Sequence, residues 1–188
     1  GYGHTAPHPS WRIIWEKLYD EYTPPSGVIV PEDFVWEKNW RLFIERVEEI
    51  VEVMENENIL FALEIRPYEI ISNVDSMRRL IDEVGSRNLG LVFDTGHLFV
   101  QKEILPVAFQ KVHDHVFLIH LCDNDGCKDY HWAPGKGKIN WENFLKTLIK
   151  FDYKRFGNID VAGKYRDIEE EIIFGKNFIT NILSKIGR

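Results

Sequence analysis

The chain has 188 residues, 44% hydrophobic and 28% charged, with 23 Lys+Arg against 30 Asp+Glu and a formal net charge of -7. That composition excludes a disordered or fibrous protein, and no apolar run approaches the roughly 20 residues that a membrane-spanning helix requires. The acidic balance counts against nucleic acid as the main partner, because phosphate binding draws its affinity from Lys and Arg.

Residues 1–33 are punctuated by Pro7, Pro9, Pro24, Pro25, Gly27 and Pro31. Between them Trp11, Ile14, Trp15 and Leu18 recur at helical spacing, which predicts a short helix over 10–22 capped by Ser10. The next helix is predicted over 34–56. There Trp36, Trp40, Phe43, Ile44, Val47, Val51 and Met54 form one apolar stripe, and Glu45, Glu48, Glu49 and Glu52 lie on its wet side.

Beyond this helix the pattern repeats. Short apolar runs at 59–64, 89–94 and 116–120, with a weaker one at 157–161, read as strands covered on both faces. Helix-like stretches at 74–84, about 104–113, 141–151 and 168–186 separate or follow them, with Asn140 placed to cap the third. Strand–helix alternation calls for an α/β fold with parallel strands, and no linker divides the chain, so 1–188 is expected to be one domain.

Each strand ends in a group able to bind metal or move a proton: Glu64, Asp94, His120 and Asp160. In a parallel α/β barrel the carboxyl ends of all strands open on one face, which carries the active site. Taken singly, an Asp closing a strand often caps the next helix, and a lone His is more often packed than a ligand. Four such groups at equivalent positions are less easily dismissed. Three carboxylates and one imidazole suit a divalent ion such as Mn, Mg, Co or Zn.

His97, three residues past Asp94, is a candidate to support a ligand, touch substrate or hold a further metal. Asp129 and His131, spaced i and i+2, can point the same way from an extended loop; the plainer reading is a polar turn with a solvated His. Gly135-Lys136-Gly137 lacks the P-loop Lys-Ser/Thr and reads as a tight turn permitting close backbone approach. Cys122 and Cys127 have no further cysteines with which to build a disulfide scaffold or zinc ribbon, and they point to a reducing cytoplasm.

Taken together, Ala62-Leu63-Glu64, Phe93-Asp94-Thr95-Gly96-His97, Ile119-His120-Leu121-x-Asp123-Asn124, Asp129-x-His131 and Gly135-x-Gly137-x-Ile139-x-Trp141 resemble the xylose isomerase-like TIM-barrel superfamily. That superfamily includes sugar isomerases and epimerases and the endonuclease IV type of apurinic-site nuclease. The resemblance implies a divalent metal held by Glu64, Asp94, His120 and Asp160. It also implies a sugar or sugar-phosphate substrate, with Glu64 and Asp160 moving a carbon-bound proton through an enediolate and His97 touching the sugar. In the nuclease, His97, Asp129 and His131 would instead hold a third zinc. A non-catalytic remnant is the third reading.

Two departures stand out. The last-strand acid is usually Glu, and Asp160 is one methylene shorter, so either the backbone moves inward or metal binding and proton transfer weaken. Some sugar epimerases carry an Arg shortly after the His120 position, where this chain has Gly126; Lys128 or Arg66 is a candidate replacement, Arg66 equally a structural ion-pair partner.

Four strand–helix units fill about half of the roughly 250 residues that a closed eight-stranded barrel takes. The chain also begins Gly1-Tyr2-Gly3-His4 and not with Met, with His4 a further site candidate. A partial barrel lacking its N-terminal strands is therefore expected, either stabilised as a homo-oligomer or part of a longer protein.

Overall fold

A computed structural model describes residues 32–67, 69–162 and 167–187. The helix expected over 10–22 and the candidate His4 lie outside the described residues. The first described helix, α1, spans Trp36–Asn56. It begins two residues later than expected and has no side-chain cap. Of its apolar stripe only Trp40, Val47 and Val51 are fully buried, and Trp36 is exposed.

Four strands follow, β1 (Phe61–Glu64), β2 (Leu89–Asp94), β3 (Val116–Leu121) and β4 (Phe156–Ile159), interleaved with α2 (Val74–Val84), α3 (Thr95–Val100), α4 (Leu105–Val112), α5 (Trp141–Lys150) and α6 (Ile168–Ile186). All three strand pairings are parallel, in the order β1-β2-β3-β4. When parallel strands are added one after another in one direction with crossovers of one hand, the helices all fall on the same face. This is the construction of a barrel wall. Among the described residues, β1 and β4 have no further strand beside them, and no helix is long and apolar enough to cross a membrane.

Local chemistry sets the helix ends. Asn73 accepts from Ser76 N at 2.8 Å while the Ser76 hydroxyl accepts from Asn73 N at 3.2 Å, a reciprocal cap that starts α2. Gly85, at φ +70, closes it in the left-handed region where a side chain would be strained. Asn140 caps α5 as expected, accepting from Asn143 N at 3.1 Å. Strand β1, like α1, begins two residues later than expected, and two further elements differ from the sequence reading. The short helix α3 follows β2 without a break, because the Asp94 side chain caps it at the strand end. Strand β4 runs over Phe156–Ile159, so Asp160 stands just past its end.

The two sheet faces are unequal. Leu89, Leu91, Phe93 and Ile119 point outward and are buried under the helices. Phe93 stacks on Phe144 at a centroid distance of 5.5 Å and meets Phe109 edge-on at 5.8 Å, which joins β2 to α5 and α4. The other face carries Ala62, Glu64, Gly90, Val92, Asp94, Leu118 and His120 and is partly open. Replacing Phe93 by Ala removes the ring that β2 contributes to the aromatic cluster. It should destabilise the chain by about 3–5 kcal/mol in urea unfolding.

Candidate metal centre

Strand register explains how residues far apart in sequence meet. Glu64 is level with Val92, Val92 with Leu118 and Leu118 with Phe156, so Asp160 stands four residues further along than the level of Glu64. Asp94 and His120 are level with each other, two residues beyond Val92 and Leu118. Every step is even, so all four side chains share one face. A climb of this size across neighbouring strands is what tilted strands of a barrel need to bring side chains to a common height.

One ligand atom from each of Glu64, Asp94, His120 and Asp160 lies within 4.8 Å of the others. His120 Nδ1 is at the centre, 2.7 Å from Glu64 Oε1, 3.4 Å from Asp160 Oδ2 and 3.6 Å from Asp94 Oδ2. Close as these approaches are, none aligns as a hydrogen bond, and His120 Nδ1 and Asp94 Oδ2 are buried without a hydrogen-bond partner among the described residues. Converging lone pairs left unsatisfied by the protein are what a divalent cation requires, and three oxygens with one imidazole nitrogen fit such an ion. Asp160, although the shorter acid, reaches the cluster. Its own N–H bonds Leu121 O at 3.1 Å and Ala162 N bonds His131 O at 3.1 Å, which keeps the chain past β4 drawn against the site.

Asp94 has two tasks at once. Its Oδ1 accepts from His97 N at 2.8 Å and from the Cys122 thiol at 3.3 Å, while Oδ2 faces His120. It is therefore both a helix cap and a candidate ligand. The α3 cap also places His97, which is almost fully buried and contacts Asp129 through Nδ1. His131 is buried, not solvated as the plainer reading of the sequence expects, and its backbone is held at φ +48. Its Nε2 lies 3.3 Å from Asp129 Oδ1, its Nδ1 lies 3.4 Å from Asp160 Oδ2, and its ring meets that of His97 edge-on at 4.7 Å. Asp160 thus links the two clusters. Asp94, His97 and His131 form a second group whose ligand atoms lie within 4.8 Å.

Arg66 comes to the edge of the site, with Nε 3.7 Å from Glu64 Oε2 and a terminal nitrogen 4.0 Å from Glu69 Oε1. Lys128, the other candidate cation, is exposed.

These contacts dictate protonation in the metal-free site. Burial alone would lower the His120 pKa, but contacts with Asp160, Asp94 and Glu64 outweigh it and lift the value to about 11. Contacts with His120 and then His131 hold the Asp160 carboxyl far below its usual range. Burial works against ionisation of Asp129, yet the adjacent His97 and His131 keep it low, and His131 is raised in turn by Asp129 and Asp160 against its own burial. Burial pushes the Cys122 thiol up, so it remains protonated near neutrality.

Residues 21–174 match the family described as xylose isomerase-like TIM barrel. The chain belongs to that family. Fructoselysine 3-epimerase of Shigella flexneri is 26% identical over 143 residues, which cover 74% of this chain and 50% of that protein. Among solved structures, a D-tagatose 3-epimerase-like protein superposes with a TM-score of 0.74 at 23% identity, covering 84% of this chain and 60% of its own. The IolI protein with a bound zinc atom gives 0.69 at 19% identity, covering 84% of this chain and 61% of its own. The chain thus spans about half the length of the curated relatives it matches. For this family member the four strands are a partial (β/α)8 barrel, as the motifs lead one to expect.

Within this family framework, several groups that shape the site carry little sign of it in the sequence. Thr95 Oγ1 accepts from Cys122 N at 3.0 Å and donates to Cys122 O at 2.7 Å, tying the start of α3 to the chain just past β3 beside the candidate ligands. By sequence Cys122 reads only as a redox marker, and Asp123 only as part of a motif. A polar residue continuing an apolar strand is the available signal for both Asp123 and Asn124. Glu69 gives no signal of its own.

The sign of the pH dependence follows for the metal-free chain. The stability due to Asp160 is present above its usual value of 3.8 and is lost as the pH falls below it. The stability due to His120 is full below 6.5 and is lost as the pH rises toward about 11. Denaturant unfolding after chelation should therefore show a plateau between 3.8 and 6.5 and a decline on both sides. With added Mn²⁺ or Zn²⁺ the trend between pH 6.5 and about 8 should reverse, because the cation displaces the His120 proton.

Proposed function

We propose that the chain carries the metal-binding and proton-transfer face of a divalent-metal-dependent sugar or sugar-phosphate isomerase or epimerase, of the kind that inverts a ketose at the carbon beside its carbonyl. The observation that carries this reading is the convergence of ligand atoms from Glu64, Asp94, His120 and Asp160, with Asp94 Oδ2 and His120 Nδ1 buried and lacking a hydrogen-bond partner among the described residues. Relatives that are a fructoselysine 3-epimerase and a probable ketose 3-epimerase support the reaction class.

A divalent ion such as Mn, Mg, Co or Zn would be held by those four residues. What it supplies when bound is polarisation of a ketose carbonyl and the neighbouring hydroxyl, which acidifies the hydrogen on the hydroxyl-bearing carbon. Glu64 and Asp160 stand at the two ends of the row of strands, with the sugar between them. One carboxylate takes the carbon-bound proton from one face, giving an enediolate. The other delivers a proton to the opposite face, so the configuration is inverted and atoms balance. Asp94, tied by His97 N and the Cys122 thiol, holds its free oxygen toward His120 and takes no part in proton transfer. His97 and His131, both held against Asp129, donate to sugar hydroxyls, and Arg66 beside Glu64 orients that carboxylate.

One observation favours the phosphodiesterase reading, namely the second group of Asp94, His97 and His131, which would accept a further zinc ion. The acidic charge of -7 and the 3-epimerase relatives weigh against it.

A ketose panel incubated with the full chain and Mn²⁺ in heavy water separates the two. The epimerase reading expects deuterium at a sugar carbon, with incorporation falling roughly 10²–10⁴-fold in Glu64→Gln while the circular dichroism spectrum is kept. Cleavage of an abasic duplex, lost in His131→Ala and accompanied by two or three bound zinc ions, would replace it with the nuclease.

A further inference from the structure

Asp123 is completely buried, yet neither the metal cluster nor the proton-transfer pair uses it. Its carboxylate is instead surrounded by N–H groups. Oδ1 accepts from Asn124 N at 2.9 Å and from Ile139 N at 3.1 Å. Oδ2 accepts from Gly135 N at 3.0 Å and from the Trp141 indole N–H at 2.8 Å. The main chain adds a two-way pairing of Asp123 with Trp132, both bonds 2.8 Å long, and a bond from Lys138 N to Asn124 O at 2.9 Å. One side chain thus joins the end of β3, the far limb of loop 124–140 and the first residue of α5.

The fit is tight from the opposite side as well. A Cβ built on Gly137 would lie 2.2 Å from Asp123 Oδ1 and 2.3 Å from Asn124 O, so the loop can close around the carboxylate only with glycine there. Asp129 and His131 are carried on this loop. His131 stands at φ +48, in the left-handed region that few non-glycine residues adopt.

We propose that Asp123 is a positioning residue whose carboxylate sets the place of Asp129 and His131 over the metal cluster, and so governs sugar binding without touching sugar or metal. The inference rests on the metal-dependent epimerase reading above. A residue that only stabilised the fold would lower the unfolding temperature and leave the His131 ring where it is. A positioning residue moves the ring and the KM while the four-residue metal cluster keeps its affinity.

Three changes in the full chain probe the same contact from different sides. Trp141→Phe removes one donor and keeps a ring to pack on Phe144, which lies 6.3 Å away. Gly137→Ala intrudes on Oδ1, and Asp123→Asn turns an amide against N–H groups. The expected result for Trp141→Phe is about tenfold faster hydrogen exchange at the Gly135 and Ile139 amides, shifted His131 ring signals, and a KM raised about tenfold. Mn²⁺ affinity should stay within about twofold and kcat within about threefold of the parent. Gly137→Ala should move the same readouts in the same direction, and Asp123→Asn should move them further. Unchanged His131 signals and KM beside a lower unfolding temperature would overturn the proposal. If Asp123→Asn does not fold, Trp141→Phe decides. If the unaltered chain neither binds Mn²⁺ nor exchanges ketose protons, the epimerase reading falls, while amide exchange and the His131 ring still judge Asp123.

Discussion

Everything in the site follows from the parallel register of the four strands. Each strand delivers one polar group, and the strands are offset so that the level of Glu64 on β1 falls four residues short of Asp160 beyond β4. Slip any strand by one residue and its polar group turns to the helix-covered face, where a charge has no partner. The outer aromatic cluster of Phe93, Phe109 and Phe144 holds that register. Phe93 is the residue before Asp94, so burying its ring on one side of β2 presents the carboxylate on the other. Core packing and site geometry are two faces of one strand.

Charge is managed by sharing of the same kind. Three acids and His120 are brought together with no hydrogen bond between any two of them among the described residues, an arrangement costly in isolation. Protonated histidines relieve it in the metal-free protein, and a divalent cation is the natural replacement for those protons. Asp160 is shared between His120 and His131, so the two clusters respond together to any change at that acid. The backbone around Asp160 is bonded to Leu121 O, and Ala162 N to O of His131, which holds this segment beside both clusters.

Much of this fold is legible in the residues alone. Alternation of apolar runs and amphipathic stretches marks β1, β2 and β3 and their helices because burial of one face imposes a local period. The Asn73 and Asn140 caps and the Gly85 stop act within a few residues, so α2 and the start of α5 match expectation. Helix α3 escapes such a reading. It depends on Asp94 serving as cap and candidate ligand together, whereas an isolated strand end permits either. The bounds of β4 differ from expectation because Phe156, Gly157 and Asn158 are exposed and carry only a weak apolar signal.

Which groups stand at the strand ends, and which face of its own strand each one shares, can be read from the chain without its fold. Both follow from backbone geometry that repeats every two residues. The turn at Gly135 and Gly137 is equally readable, since glycine there marks a close approach whatever is being approached. What that approach serves is a matter of tertiary contact. Asp123 is brought against N–H groups from loop 124–140 and α5, His131 is turned inward and buried, and the free oxygen of Asp94 is aimed at His120. These are contacts between segments with no fixed spacing along the chain, so their energies favour one arrangement only after the sheet has set the distances between them.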